Sequence, residues 1–277
     1  MNYRHIYHAG NHADVMKHAT LICVLEALKR KPAAFGVLET HAGVGIYDLE
    51  ANEASRSPEW QSGIGRLWES DAPALAPLLA LVRAANLGDN LQKYPGSPEV
   101  ARALLRAQDR YIGCELHPQD AATLKALYGR DPRMQIHARD GWRALTALLP
   151  LPERRGLVLI DPPYEQLGEL GRAAKAVGAA HLRFPQGVIA WWRPLKDAAA
   201  LDRADAEAMA QGAPGLLRLD LWIDTPTPVG PMLGSSMAFV RPPFGLRDAL
   251  EELGAALCPI LAISLGAGYR VVSLGML

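Results

Sequence analysis

Short apolar runs alternate with segments of helical length along most of this chain, and that alternation constrains the fold more than any other feature. The runs fall at 35–39, 111–115, 134–137, 156–160, 187–192, 216–223 and 237–240. The first of them is a short apolar run that ends in a turn, as a buried parallel strand does. A stripe of Leu124 and Leu127 packs one intervening helix, from Pro118 to Gly129, and Leu145, Leu148 and Leu149 pack the next. Leu246, Leu250, Leu253 and Leu257 form a helical stripe near the end, too short for a coiled coil and therefore a core face. Strand–helix alternation predicts an α/β fold with a doubly wound, mostly parallel sheet. Ligands of such sheets bind at the carboxyl ends of the strands.

Two segments stand outside the alternation. A first helix is expected from Asn11, whose side chain can cap it, to about Lys31. Between residues 47 and 94 the spacing is helical: Trp60, Ile64, Leu67 and Trp68, then Leu78, Leu79, Val82 and Ala85. This predicts a small helical subdomain inserted after the first strand, with residues 1–46 and 95–277 forming the sheet domain. Tyr94-Pro95-Gly96-Ser97-Pro98 closes the insertion, and Ser97 is expected to cap a helix that has Pro98 in its first turn.

The totals exclude several classes. No apolar run approaches the roughly 18 residues of a membrane span. The N-terminus lacks the apolar region of a secretory signal. Cys23, Cys114 and Cys258 lie far apart, with no metal or disulfide spacing. A cytoplasmic protein is expected. Lys plus Arg (29) equals Asp plus Glu (29), which argues against a nonspecific nucleic-acid coater. A local basic surface can still dock RNA, and Lys29-Arg30-Lys31, Arg102/Arg106/Arg110, Arg130/Arg133 and Arg154-Arg155 could supply one; taken singly, each reads better as a solvated helix end or loop.

The first strand runs into Thr40-His41-Ala42-Gly43-Val44-Gly45. Glycines at alternate positions allow a tight turn and close backbone approach to a ligand. Alone the pattern is weak, since a plain turn also explains it. The acids that end the next two strands strengthen it. The second strand ends in Glu115, which could take both ribose hydroxyls of an adenosine, and the third in Asp140-Gly141, which could meet the adenine edge. The spacing leaves a nicotinamide dinucleotide open as an alternative to S-adenosylmethionine, because the insertion separates glycines from acid.

The strongest motif is Asp161-Pro162-Pro163-Tyr164, directly after the fourth strand. An exocyclic N6 amine of adenine is a poor nucleophile because its lone pair is delocalised into the ring. The Asp161 carboxylate and the Pro162 carbonyl, on a stiff Pro-Pro backbone, can each accept one of its N–H groups. Tyr164 can stack on the extruded base. The transfer is then an in-line displacement for which positioning carries much of the catalysis, with no metal. The bland alternative is a strand-ending turn. The acid-decorated strands before it favour the chemical reading.

The N-terminal segment from Tyr3 to His18 is dense in aromatic and imidazole groups. His8 and His12 have the spacing of a helical metal pair, but Gly10 and Asn11 interrupt the helix and no third ligand is evident. Either a flap placing Tyr3, His5 and Lys17 near base and phosphates, or a capped helix with surface histidines, accounts for it.

These motifs together carry a resemblance. Tyr3-Arg4-His5, His8-Ala9-Gly10-Asn11-His12-Ala13-Asp14-Val15, Lys17-His18, Thr40-His41-Ala42-Gly43, Tyr94-Pro95-Gly96-Ser97-Pro98, Glu115-Leu116-His117-Pro118, Asp140-Gly141 and Leu159-Ile160-Asp161-Pro162-Pro163-Tyr164 stand in the order of the bacterial ribosomal RNA large subunit methyltransferase J family. The chain resembles that family from its first residues to about Pro243. The loop from Gly230 to Ser236 matches only loosely, and the tail after Leu257 is unusually apolar. The resemblance implies a Rossmann-like class I methyltransferase that methylates N6 of one adenine in 23S ribosomal RNA. It implies S-adenosylmethionine contacts at His18, His41, Ser97, Glu115, Asp140, Gly141 and Asp161, with Asp161 catalytic and Tyr3 on the RNA. The expected substrate is protein-free RNA or an early assembly intermediate, and the expected enzyme is a metal-free monomer. A DNA adenine methyltransferase would need groove-reading elements, and no helix-turn-helix or zinc-finger pattern is present. A purely binding protein on this fold would have no need of the acceptor set, and a nicotinamide oxidoreductase would leave Asp-Pro-Pro-Tyr without a role.

Overall fold

The computed structural model describes residues 5–276 apart from 87 and 89. After a 3-10 turn at His5–Tyr7, the long helix α1 (His12–Lys29) leads into β1 (Gly36–Glu39). The connection to the second long strand holds β2 (Ile46–Asp48), α2 (Asn52–Arg56), α3 (Ile64–Leu67), α4 (Ala76–Ala84) and β3 (Lys93–Pro95), followed by α5 (Ser97–Leu104). Then come β4 (Arg110–Glu115), α6 (Pro118–Tyr128), β5 (Met134–Ala138), α7 (Gly141–Leu148), β6 (Gly156–Ile160), α8 (Glu169–Arg183), β7 (Val188–Pro194), α9 (Ala198–Ala210), β8 (Gly215–Trp222), β9 (Gly234–Val240), α10 (Leu246–Leu261) and β10 (Gly268–Gly275).

The main sheet has the order β10-β8-β9-β7-β6-β1-β4-β5. From β5 to β7 all neighbours are parallel, while β9 runs antiparallel between β7 and β8 and β10 adds an antiparallel edge. Alternating side chains serve two cores. Val37, Leu157 and Leu159 face a layer containing α1, α4, α5 and α10. Leu38, Val158, Ile160 and Trp191 face α7, α8 and α9. Both faces of β1 and β6 are covered, which is why their sequences read as unbroken apolar runs.

Several expectations are revised. Asn11 does cap α1, accepting from the amides of Ala13 and Asp14. Ser97 does not cap α5 with its side chain; its hydroxyl is turned to the buried Glu39 instead. Leu127 is half exposed, and Ala121, Leu124 and Tyr128 form the buried face of α6. The apolar tail after Leu257 completes α10 and then forms β10 along β8.

Between β1 and β4, β2 pairs antiparallel with β3 at the base of the helical segment. Several contacts fasten that segment. The Ile64 amide donates to the Gly10 carbonyl (2.8 Å), and Arg66 donates to the carbonyls of Ile260, Leu261 and Ala262 (3.3, 3.1 and 2.9 Å) at the end of α10. Gly63 permits the first: any Cβ there would collide with the Gly10 backbone.

Beneath β7 lies a buried charge network. Asp205 on α9 accepts from both Arg193 and Arg218; Arg218 also meets Asp202 at 2.8 Å and Asp220 at 3.1 Å, and Arg270 reaches Asp220 at 2.9 Å. Arg193, Arg218, Asp205 and Asp220 are all essentially inaccessible to water. Removing one partner strands an uncompensated buried charge. Asp205→Ala should therefore lower unfolding free energy by about 3–5 kcal/mol in a urea titration. Breaking the exposed Arg203–Asp197 pair with Arg203→Ala should change it by about 0–1 kcal/mol. Equal effects would contradict this reading of the network.

Candidate active site

A cavity of about 630 Å³ opens where β1, β4, β6 and β7 end, walled on the other side by the first turns of α1 and by Pro231 and Met232 in the loop before β9. The strands deliver their terminal residues to it because parallel strands all point their carboxyl ends to one edge.

β6 delivers Asp161, Pro162, Pro163 and Tyr164, all of which line the cavity. Tyr164 has a positive φ of 54°, a conformation that costs a non-glycine residue about 1–3 kcal/mol and persists where the surroundings enforce it. Here they do. The Tyr164 hydroxyl donates to the Trp192 carbonyl (2.7 Å) and accepts from the Trp191 indole N–H (2.8 Å). Its ring packs on Trp192 with centroids 5.6 Å apart. Trp192 in turn donates from its indole nitrogen to buried Ser235 (2.8 Å) and keeps part of its surface in the cavity. Residue types alone single out Tyr164 and pass over Trp192, whose only signal is its place at the end of an apolar strand.

α1 delivers the charges. Lys17 Nζ lies 2.7 Å from Asp161 Oδ2 and 2.8 Å from Asp14 Oδ1, while Asp14 Oδ2 receives His5 Nε2 (2.8 Å) and the Gly10 amide (3.0 Å). Burial alone would raise the Asp14 carboxyl, but His5 and Lys17 together hold it well below the usual carboxylate range. Burial would lower Lys17, yet Asp14 and Asp161 hold it well above the ordinary lysine value. Lys17 and His5 thus sit together in the site; Tyr3 lies outside the described residues. Asp14 was missed, although its i, i+3 spacing from Lys17 on one helix was visible.

The opposite wall gathers His18, His41, Gly43, Ser97 and Glu115. Glu115 accepts from the amides of Gly43 and His117, each at 2.8 Å; burial raises its carboxyl and these amides oppose the rise. Glu39, also missed, is buried behind this wall, where its carboxyl takes the Ser97 hydroxyl and the Tyr111 hydroxyl (2.6 Å). Burial pushes Glu39 up to about 8 against both hydrogen bonds. His18 lies 2.8 Å from the Tyr94 hydroxyl, and His41 the same distance from that of Thr40. Burial lowers His18 to about 3 and His41 to about 4, so both are neutral near pH 7.

Asp140 and Gly141 do not line the cavity. Asp140 Oδ1 caps α7, accepting from the amides of Trp142 (2.7 Å) and Arg143 (3.4 Å), and Gly141 is needed because its α-carbon passes against the Thr40 carbonyl. His8 and Asn11 are held by Glu59, each at 2.9 Å. Among the described residues no group of three or more His, Cys, Asp or Glu is placed to hold a metal, and no helix is long and apolar enough to cross a membrane.

Five parallel strands extended by three antiparallel ones, with acids at the ends of β4 and β6, define a Rossmann-like class I methyltransferase architecture. Residues 32–273 match the family described as RsmJ, "Ribosomal RNA large subunit methyltransferase D, RlmJ". The chain belongs to this family. It is 38% identical over 256 residues to "Ribosomal RNA large subunit methyltransferase J" of Haemophilus influenzae, covering 91% of each chain. It is 36% identical over 275 residues to the protein of the same name from Escherichia coli K12, covering 99% of this chain and 98% of the relative. A crystal structure of a Legionella pneumophila protein superposes with a TM-score of 0.88 at 31% identity, covering 96% of this chain and 98% of that one. The family match begins after α1, so the E. coli relative is what extends the likeness over the N-terminal charges.

Because the folded-state Asp14 carboxyl is depressed, its stabilisation is present above the unfolded value of about 3.9 and is lost as pH falls below it. Asp14→Asn should cost about 3–5 kcal/mol in urea unfolding near neutral pH. The difference from wild type should shrink at about pH 3.5, where the unfolded chain takes up the proton. A penalty that does not change with pH would mean that the charge of Asp14 is not what stabilises α1.

Proposed function

We propose that this protein transfers the methyl group of S-adenosylmethionine to the N6 amine of an adenine in 23S ribosomal RNA. The observation that carries the reading is the Asp161 carboxylate, fixed at the end of β6 by Lys17 and followed by Pro162-Pro163, at the floor of a cavity with an aromatic wall. Membership of the large subunit rRNA methyltransferase family supports the RNA substrate.

S-adenosylmethionine supplies an electrophilic methyl on a sulfonium and leaves as the neutral thioether. The residues at the ends of β1 and β4 suit it: a carboxylate for ribose hydroxyls at Glu115, an exposed backbone at Gly43, and polar groups at His18, His41 and Ser97 for the amino-acid end. Asp140 and Gly141 would act from the rim. Asp161 and the Pro162 carbonyl each accept one N–H of the target amine and aim its lone pair at the methyl carbon. As the N–C bond forms and the sulfur–methyl bond breaks, nitrogen gains positive charge, which Asp161 stabilises before one N–H proton passes through Asp161 to solvent. Lys17 keeps Asp161 in place, His5 supports Lys17 through Asp14, and Tyr3 would contact the RNA. Trp192 offers the stacking face, because Tyr164 is locked beneath it by its hydroxyl.

The division into a sheet domain, residues 1–46 and 95–277, and a helical insertion, 47–94, belongs to the same proposal, with the insertion bracing the N-terminal turn. We also place the enzyme in the cytoplasm, as a monomer acting on protein-free RNA or an early assembly intermediate.

Labelled S-adenosylmethionine offered with 23S rRNA from cells lacking the activity should yield N6-methyladenosine. Asp161→Asn should slow transfer by about 10²–10⁴-fold. Labelling of duplex DNA alone, or unchanged rates in Asp161→Asn, would overturn the reading. Trp192→Leu should raise the KM for RNA about tenfold or more while leaving the Kd for S-adenosylmethionine unchanged, as measured by RNA titration and calorimetry.

A further inference from the structure

We propose that the two histidines lining the cavity are locked in opposite neutral tautomers by buried hydroxyls: Tyr94 makes His18 a hydrogen-bond donor, and Thr40 makes His41 an acceptor, toward the amino-acid end of the methyl donor. The inference rests on the proposed S-adenosylmethionine site, but the tautomers are properties of the free protein.

Hydrogen-bond accounting fixes His18. Tyr94 is fully buried, and its hydroxyl lies 2.8 Å from His18 Nδ1. Burial pushes the phenol well above its ordinary value, so it keeps its hydrogen. If the imidazole donated to the phenol oxygen, the phenol hydrogen would be left without an acceptor in a dry interior, an arrangement that native interiors avoid. If the phenol donates, both groups are satisfied. A neutral imidazole that accepts at Nδ1 carries its hydrogen on Nε2. That Nε2 is buried and has no protein partner, although His18 lines the cavity.

The same accounting gives the reverse result at His41. Buried Thr40 places its one hydroxyl 2.8 Å from His41 Nδ1 and 3.2 Å from the Leu159 carbonyl. The arrangement that keeps both contacts puts the hydroxyl hydrogen on the second lone pair of the Leu159 carbonyl, which also accepts the Thr40 amide at 3.0 Å, and has the Thr40 oxygen accept from Nδ1–H. His41 Nε2 is then a lone pair. The Trp142 ring, edge-on at 5.3 Å, supports the orientation of the imidazole.

One bare donor and one bare acceptor suit a ligand with both a carboxylate and an ammonium, and the α-amino acid end of S-adenosylmethionine has both. Lys17 is already committed to Asp14 and Asp161, so the carboxylate must be met by neutral donors such as His18 Nε2–H. Tyr94 and Thr40 act through the histidines and are positioning residues.

The test is a two-bond ¹⁵N–¹H correlation spectrum of ligand-free protein labelled at histidine, with His18 and His41 assigned from His18→Gln and His41→Gln. His18 should show a protonated Nε2 and a bare Nδ1, His41 the converse, both constant from about pH 6 to pH 8. Matching tautomers, or an imidazolium at either ring, would overturn the proposal. Tyr94→Phe should erase the single-tautomer signature of His18 and weaken S-adenosylmethionine binding about tenfold, with kcat at saturating donor within about twofold of wild type. An unchanged His18 spectrum in Tyr94→Phe would also overturn it. Failure to methylate RNA would sink the proposed reaction and leave the tautomer result standing.

Discussion

The contact between Lys17 and Asp161 joins the amino-terminal helix to the end of the central strand β6, and the active site is assembled around it. An ammonium and two carboxylates withdrawn from water are tolerable only when each is paired. Asp14 takes the second side of Lys17, and His5 and the Gly10 amide take the second oxygen of Asp14. The Gly10 turn is in turn held by Ile64, and Asn11 by Glu59, so the helical segment between β1 and β4 contributes to holding the catalytic carboxylate. Lys17 is shared between Asp14 and Asp161, and His5 meets Asp14 on its far side, so the Asp161 carboxylate is the acidic centre that faces the cavity. Under the proposed reaction, positive charge moves from sulfur to nitrogen beside that centre, and a fixed anion there stabilises the nitrogen as it becomes cationic.

The wall formed by β7 is rigid for a different reason. Trp191 faces the lower core and stacks on the Arg193 guanidinium at 4.5 Å, while Trp192 faces the cavity. Tyr164 bridges them through its hydroxyl. The buried network from Arg193 to Arg270 therefore ends directly under the aromatic face proposed for the target base. A platform that cannot tilt loses little entropy when a base stacks on it.

Much of this was legible in the residues. The interiors of β1, β4 and β6 are apolar and buried, so these strands stood out, and Asp161-Pro162-Pro163-Tyr164 stood out by its chemistry. What was hidden had physical causes. Helices α8 and α9 bury alanine at half of their inward positions and lack the leucine stripe that marks α10. Strand β10 is an edge strand, partly exposed along its length, within the unusually apolar tail after Leu257. Ser97 and Asp140 are both good capping residues by type, yet one turns to Glu39 and the other does cap; only the tertiary position of Glu39, 58 residues away, decides between them. Asp14, Tyr94 and Thr40 matter through partners distant in sequence or through accounting in a dry interior, neither of which spacing reveals.

The coupling between Asp14 and Lys17 tests this account most directly. Single-turnover methyl transfer, at saturating S-adenosylmethionine and RNA, would be measured for Lys17→Met, Asp14→Asn and the double variant. If Asp14 acts only by holding Lys17 against Asp161, the double variant will be no slower than Lys17→Met alone, giving a strongly non-additive cycle. Independent, multiplying losses would show that Asp14 does not work through Lys17, and would contradict the charge chain on which this view of the site depends.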